Sequence, residues 1–307
     1  MRRILCGRFA DPVPAALKLT MRSDKISLLL LLLPGLLWLF AFVVIPFGFA
    51  GVMSFWTSGM FGLKPDFQFG NYALILGNPL YATLILKTLR VALVATLLSL
   101  AISYPIAYFL AFASGRAKIV LTLLLFLPFW TSYVVRSFIW LPILGTNGAI
   151  NRILLATGII DQPIGGMLYN EGAIYVGLVY VYTLFMTLPI YLAIEKIDPR
   201  LLEAAADLGA KPFWVFLRIV LPLSWPGVVS GCVMVFLLAM SSYVTPQMLG
   251  GPSGIMVSGM IAAQFQANNN WALGATLALV LSAITFAILI VAGRWVGIRQ
   301  IFTAGRG

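Results

Sequence analysis

Six stretches of this chain are apolar over about 20 residues or more, the length that a helix needs to cross a bilayer. They cover residues 26–49, 83–112, 119–139, 173–194, 226–248 and 273–298. Charged residues make up only 9% of the sequence, against roughly a quarter in soluble domains. The sequence therefore predicts an all-α integral membrane protein with six transmembrane helices.

Lysine and arginine are distributed unevenly between the segments that flank these stretches. Fifteen lie in the two terminal segments and in the loops near residues 115 and 195–222, whereas the opposite side holds five, which are Lys64, Lys87, Arg90, Arg136 and Arg152. Basic residues accumulate on the cytoplasmic side of membrane proteins. This predicts a basic cytoplasmic N-terminal tail at 1–25, a membrane domain at 26–300 and a cytoplasmic C-terminal tail at 301–307. The scattered basic residues give no reason to expect a nucleic-acid partner.

Several residue types that drive transport or catalysis are missing from the predicted spans. All nine acidic residues lie outside the spans or at their ends, and the chain has no histidine. A proton-coupled carrier, which buries such groups, is therefore disfavoured. No Gly-Lys dipeptide is present, so the chain cannot form a P-loop for ATP. The sequence offers no catalytic or metal-binding set, and it leaves a passive pore or one subunit of a machine that is powered elsewhere.

The loop at 195–222 is predicted to fold into two short helices. Asp198 followed by Pro199 suits an N-cap and the first helical turn, and Gly209 suits the left-handed position that ends a helix. A second helix can begin at Pro212, with apolar residues spaced three and four apart. We therefore expect a helix-turn-helix elbow at the membrane surface.

Two acidic residues share one face of the first elbow helix. Glu203 and Asp207 are four residues apart and so point the same way. This face could accept a basic partner. Alternatively, it could simply be solvated, with the repulsion between the two carboxylates reduced by Arg200 and Lys211. The spacing alone does not decide between the two interpretations.

The elbow sequence resembles the EAA loop of permeases from ATP-binding-cassette (ABC) importers. Glu203-Ala204-Ala205, Gly209, Ile219 and Leu221-Pro222 match its pattern E-A-A-x-x-x-G-x9-I-x-L-P at every position. The resemblance implies a type I ABC importer permease fold, with the elbow docked on a separate ATPase subunit. The residues to which it assigns this coupling are Glu203, Ala204, Ala205, Asp207, Gly209, Leu221 and Pro222.

Outside the elbow, residues from about 69 to about 275 look most like the spermidine/putrescine branch of these permeases. Matching stretches include Pro128-Phe129-Trp130-Thr131 with Arg136, and Leu249-Gly250-Gly251-Pro252. Branches for opines, other amines, ferric iron or sulfate share parts of these stretches and remain alternatives.

A polyamine is a flexible polycation, and this chain offers it aromatic faces rather than acids. Cation–π contacts contribute about 0.5–2 kcal/mol each. Aromatic residues in membrane helices more often pack or anchor the helix at the interface. The residues that we consider for the substrate path are Trp130, Tyr133, Tyr180, Tyr182, Phe185 and Tyr243.

The resemblance also implies the surrounding assembly. It predicts a multi-pass protein of the bacterial inner membrane that pairs with a second permease, docks on two ATPase subunits and receives a small solute from an extracytoplasmic binding protein. The chain itself would bind no cofactor, because ATP and magnesium belong to the ATPase, and it would not be an enzyme. Alternating access would move the solute. An ion-coupled carrier or channel, and an exporter permease, are the alternatives from other classes.

Overall fold

The computed structural model describes residues 30–59 and 62–304, and the side chains of these residues as far as 294. Six helical stretches in this part of the chain are long and apolar enough to cross a membrane. They are Leu30–Met53, Pro79–Phe112, Tyr133–Ala156, Glu171–Glu195, Pro212–Ser241 and Trp271–Arg294. The predicted six-helix fold class is confirmed. The predicted tail at 1–25, the first residues of the span 26–49 and residues 305–307 lie outside the described residues.

The first span is the helix Leu30–Met53. It contains a π-helical turn at Phe40–Val44 and continues as α-helix over Ile45–Met53. It contains no charged residue. A helix that is apolar all round suits a lipid environment.

The second, fourth and fifth spans form the main core. Val91 and Ala95 of the second span pack with Leu178 and Met186 of the fourth and with Val235 of the fifth, and all five are essentially buried. Without a hydrophobic driving force between helices in lipid, such packing depends on close approach at small residues.

Gly227 shows how close that approach is. A side-chain carbon added at Gly227 would lie 2.5 Å from the carbonyl oxygen of Pro189 and 2.5 Å from the Cβ of Ala193, both in the fourth span. Only glycine therefore lets the fourth and fifth spans touch at this point.

The third crossing is interrupted, in contrast to the single helix predicted at 119–139. Its pieces are Gly115–Phe126, a 3-10 turn at Leu127–Trp130, Tyr133–Phe138 and Trp140–Leu144, followed by Ala149–Ala156. Thr131 and Ser132 separate the two halves with extended backbone at Thr131. Pro128 lacks an amide hydrogen to donate to the preceding turn, which helps to end the first half.

Contacts with the fourth span show that these pieces run antiparallel to it from end to end. The contacting pairs in order are Lys118 with Glu195, Phe129 with Phe185, and Trp140 with Tyr180. Leu144 then packs with Ala173 near the start of the fourth span. We call the end of the bundle at Glu195 the elbow end, and the end at Glu171 the far end.

The fifth crossing also has a break. Helix Pro212–Ser241 ends at Ser242, which has an extended backbone, and the chain resumes as helix at Val244–Gly250. Gly177, near the far end of the fourth span, contacts Thr245 and Leu249. The second helix of the fifth crossing therefore continues toward the far end. The predicted span 226–248 thus corresponds to one crossing built from two helices.

The far end carries several smaller elements. A two-stranded antiparallel hairpin pairs Thr57–Gly59 with Gly62–Lys64, so that Ser58 lies opposite Leu63. Short helices follow at Gly70–Gly77 and Val257–Gln266. The last helix, Trp271–Ala304, extends beyond the predicted span 273–298 and includes residues 301–304 of the predicted C-terminal tail.

Candidate functional site: the elbow and the paired helix breaks

The first elbow helix forms as its sequence predicts. It spans Pro199–Asp207, and the side chain of Asp198 accepts a hydrogen bond of 2.9 Å from the backbone N–H of Arg200. Gly209 has φ +77°, the left-handed conformation that glycine adopts at little cost. The N–H groups of Gly209 and Ala210 donate back to the carbonyls of the last turn. The predicted cap and stop are both present.

This helix presents a mixed acidic and apolar surface to its surroundings. Glu203 and Asp207 are exposed, and among the described residues neither carboxylate has a salt-bridge partner. Leu208 is 89% exposed beside them, while Leu202, on the opposite face, packs against the main core. Of the remaining motif residues, Ala204 and Pro222 are exposed and Ala205 and Leu221 are partly buried. The coupling role of these residues stays a prediction.

The second elbow helix differs from the one expected. It begins at Pro212 as predicted, but it runs through a π-helical turn at Phe216–Val220 directly into the helix of the fifth span. The elbow is therefore one short helix joined by Gly209 to the end of a transmembrane helix, and the predicted separate second helix is wrong. Phe216 packs on Tyr104 of the second span with ring centroids 5.7 Å apart, which holds this junction against the bundle.

Hydroxyl groups join the breaks of the third and fifth crossings. The hydroxyl of Tyr133 lies 2.8 Å from the hydroxyls of both Ser242 and Thr245, and Ser137 lies 2.6 Å from Thr245. Ser258 donates to the carbonyl of Ser242. Non-helical backbone at membrane depth is tolerated only where it is buried in protein or lines a cavity. These hydrogen bonds hold the paired breaks together.

Three of the six aromatic residues considered for the substrate path are engaged near the paired breaks. Tyr133 bridges the breaks, Tyr182 donates to the carbonyl of Leu238 at 3.1 Å, and Phe185 packs on Phe129 with ring centroids 5.0 Å apart. Their contacts explain their positions by packing and hydrogen bonding alone.

The other three aromatic residues have different surroundings. Tyr180 packs on Trp140 at 5.6 Å and lines a separate cavity of about 390 Å³ with residues of the second span. Trp130 is 83% exposed and Tyr243 is 39% exposed, one beside each break. The six aromatic residues thus do not line one common cavity. Of the six, Trp130 and Tyr243 are the residues whose exposed rings a solute could contact.

Arg136 is a residue whose setting the sequence interpretation missed. The charge count places it in a loop opposite the cytoplasm, but it lies in helix Tyr133–Phe138 and is only 8% exposed. Its guanidinium stacks 4.7 Å from the ring centre of Phe129, and its buried Nε has no hydrogen-bond acceptor. Its place inside the predicted apolar stretch 119–139 was the available signal, because an ionisable residue within a span marks a functional site by default.

Six apolar helices, a capped elbow exposed at one end and paired helix breaks within the bundle define the membrane-spanning subunit of a transporter. The sequence of residues 103–296 matches the family described as binding-protein-dependent transport system inner membrane component, and the chain belongs to this family. It is thus a multi-pass inner-membrane permease of an ABC importer. The resemblance noted in the elbow is confirmed.

Relatives with assigned roles cover most of the chain. The chain is 38% identical to the spermidine/putrescine transport system permease protein PotB of Salmonella typhimurium, over 83% of this chain and 88% of the relative. PotB of Escherichia coli is 37% identical over 83% of this chain and 92% of the relative. The inner membrane ABC transporter permease protein YdcU of Escherichia coli is 31% identical over 84% of this chain and 86% of the relative.

Solved structures support the fold independently. A chain of a bacterial ABC transporter involved in the import of the acidic polysaccharide alginate superimposes with a TM-score of 0.72 at 16% identity, covering 91% of this chain and 98% of that one. A chain of the MetNI methionine ABC transporter gives 0.54 at 16% identity, covering 69% and 92%. At these identities the likeness concerns the fold alone, and it confirms the type I permease architecture.

Proposed function

We propose that this permease imports a polyamine of the spermidine or putrescine type, using ATP hydrolysed by a separate subunit. The observation that carries the proposal is its similarity at 37–38% identity to PotB permeases, which extends over 83% of this chain and nearly all of theirs. By comparison, the molybdenum permease protein ModB of Azotobacter vinelandii is 29% identical over 53% of this chain. The similarity therefore favours an amine over an oxyanion.

The elbow supplies the proposed contact with the ATPase. Glu203 and Asp207 are solvent-exposed carboxylates without salt-bridge partners among the described residues, and exposed Leu208 adds an apolar contact. A groove with basic residues around an apolar pocket would complement this surface in charge and in shape. Because this chain has no P-loop, ATP and magnesium bind on that partner, and this chain has no catalytic role.

The arrangement of charges supports cytoplasmic termini and a cytoplasmic elbow. Arg136 is buried in the third crossing and therefore no longer counts as a loop residue. With Arg136 set aside, fifteen basic residues lie on the side of the termini and the elbow and four lie toward the far end, which supports this orientation. A binding protein would then deliver the solute at the far end, and a second permease would complete the path.

The solute path is proposed to pass the paired helix breaks on the side of Trp130 and Tyr243. Both rings are accessible and both stand beside interrupted backbone. Discontinuous helices line substrate sites in other transporters because their free backbone groups can bind a solute. Cation–π contacts of about 0.5–2 kcal/mol per ring would hold an ammonium group weakly enough for release.

Uptake by the complete transporter in proteoliposomes tests the proposal. We expect ATP-dependent accumulation of labelled spermidine or putrescine when the binding protein is present. Glu203→Lys should lower both ATPase recovery and uptake at least about tenfold, because it places a cation opposite a basic groove. Asp161→Lys is the matched control, since Asp161 is an exposed acid away from the elbow.

Two results would contradict the proposal in different ways. Normal ATPase recovery and normal uptake with Glu203→Lys would refute the role of the elbow. Uptake of molybdate or sulfate with no uptake of either polyamine would refute the substrate class and leave the permease assignment intact.

A further inference from the structure

Arg136 is a buried cation without an anionic partner among the described residues. The two salt bridges found there are Arg90 with Glu171 and Lys118 with Glu195, and neither involves Arg136. The ring of Phe129 offsets part of the cost through a cation–π contact. The buried Nε still has no acceptor. A charge inside a membrane protein is expensive unless it is paired. Nε is enclosed by this chain, but the two terminal nitrogens of the guanidinium are not among the buried unpartnered atoms, so an acceptor from outside the chain would pair with them.

The depth of Arg136 limits what that acceptor can be. Its guanidinium stacks on Phe129, which packs on Phe185 of the fourth span. Phe185 lies ten residues from Glu195 and fourteen from Glu171, or about 15 Å and 21 Å along the helix. Arg136 is therefore near the middle of the bilayer. A lipid phosphate lies roughly 15 Å away at the edge of the hydrocarbon core, too far for a direct contact.

The charge of the solute limits the acceptor further. If the solute is a polyamine, as the proposed function holds, it is a cation and cannot neutralise a guanidinium. The acceptor must then belong to another protein chain in the membrane. A second copy of this chain would not provide a carboxylate, because all nine acidic residues lie outside the spans or at their ends. A second, different permease remains.

We propose that Arg136 forms an ion pair with a carboxylate in a transmembrane helix of a second, distinct permease subunit, near the middle of the membrane. Arginine suits this role because its planar guanidinium binds a carboxylate through two parallel hydrogen bonds. The packing of Phe129 fixes the orientation of the guanidinium before the partner arrives. This inference rests on the proposed function, because the argument against the solute as acceptor uses its positive charge.

The test measures how much second permease is recovered with this chain. The complete transporter is purified through a tag on this chain, and the ratio of the two permeases and of the ATPase is quantified. Arg136→Met should lower recovery of the second permease at least about tenfold, and Arg136→Lys should lower it less, because lysine keeps the charge. Arg152→Met is the matched control, since Arg152 is exposed in helix Ala149–Ala156.

Recovery of the ATPase checks that the variants are folded, because the elbow is remote from Arg136 in the chain. Arg136→Glu should also lose the second permease. Arginine placed at one intramembrane acidic position of that subunit should restore recovery to the Arg136→Glu variant, which identifies the paired carboxylate.

A wild-type ratio of the two permeases in Arg136→Met would overturn the ion pair. Equal loss in Arg136→Lys and Arg136→Met would overturn it as well, because the charge would not matter. If Arg136→Met assembles normally but substrate-free liposomes that contain it leak protons or sodium, the ion pair is wrong and Arg136 instead acts as a barrier to cations. The subunit ratio is measured without solute, so failure of polyamine uptake in the wild type would refute the proposed function alone.

Discussion

The stop of the elbow helix at Gly209 allows a prediction that separates backbone strain from steric clash. Gly209 has φ +77°, and an added side-chain carbon would find no atom within 4 Å. Any effect of a substitution must therefore come from the left-handed backbone rather than from crowding. An ordinary side chain in this conformation costs roughly 1–2 kcal/mol, and a β-branched one costs more. Asparagine tolerates the conformation far better.

Gly209→Val should thus reduce the fraction of molecules that hold the elbow helix in its wild-type orientation. The expected reduction is about 5–30-fold, the factor that 1–2 kcal/mol represents. Gly209→Asn should stay close to wild type. Co-purification of the ATPase and ATP-dependent uptake in proteoliposomes measure both variants, with membrane insertion as the control for folding. Wild-type behaviour of the valine variant, or equal loss with asparagine, would refute the strain argument.

Two further predictions concern the packing of the bundle. Tyr133→Phe removes a hydroxyl with two side-chain partners and should destabilise the protein by about 0.6–2 kcal/mol in detergent unfolding. Tyr243→Phe, whose hydroxyl has no partner among the described residues, should not, and equal stability of the two variants would count against the bridge. Gly254→Ala would place a carbon 1.8 Å from the carbonyl oxygen of Pro246 and should destabilise the protein by about 3 kcal/mol or more. The carbon added by Gly259→Ala meets no atom within 4 Å, so this variant should be neutral or stabilising. Thermal unfolding compares the two variants, and a tolerated Gly254→Ala would contradict the close approach.

The elements that were predicted best depend on local chemistry. Asp198 caps its helix through its own side chain, and Gly209 ends the same helix through its own backbone freedom. Neither feature needs a distant partner, so the sequence alone was sufficient. The number of spans was predictable for a similar reason, because the apolar length that crosses a bilayer is a property of each segment.

The breaks at Ser132 and Ser242 were not predicted, because their stability comes from other parts of the chain. An interrupted helix leaves backbone groups to be satisfied, and here Tyr133 and its hydroxyl partners hold the two breaks together from separate crossings. Hydropathy records only that these segments are apolar. It therefore predicts where the chain crosses the membrane and misses where the helix stops within the crossing.

The position of Arg136 was misjudged for a related reason. An arginine near the end of an apolar stretch is usually a loop residue, and the charge count treated it so. The interrupted third crossing continues to Leu144, which places Arg136 well inside the bundle. The error in one helix boundary is thus the reason why the buried setting of Arg136 was missed.

The uninterrupted helix Pro212–Ser241 has a mechanical consequence. Its 30 residues make a rod of about 45 Å that begins at the elbow and ends beside Tyr243. A tilt of about 5° at the elbow would swing the other end through about 4 Å, comparable to the width of an ammonium group. Pro226 and the π-helical turn at Phe216–Val220 are the points where such a rod can flex, so they would set how much of a movement at the elbow reaches the proposed solute path.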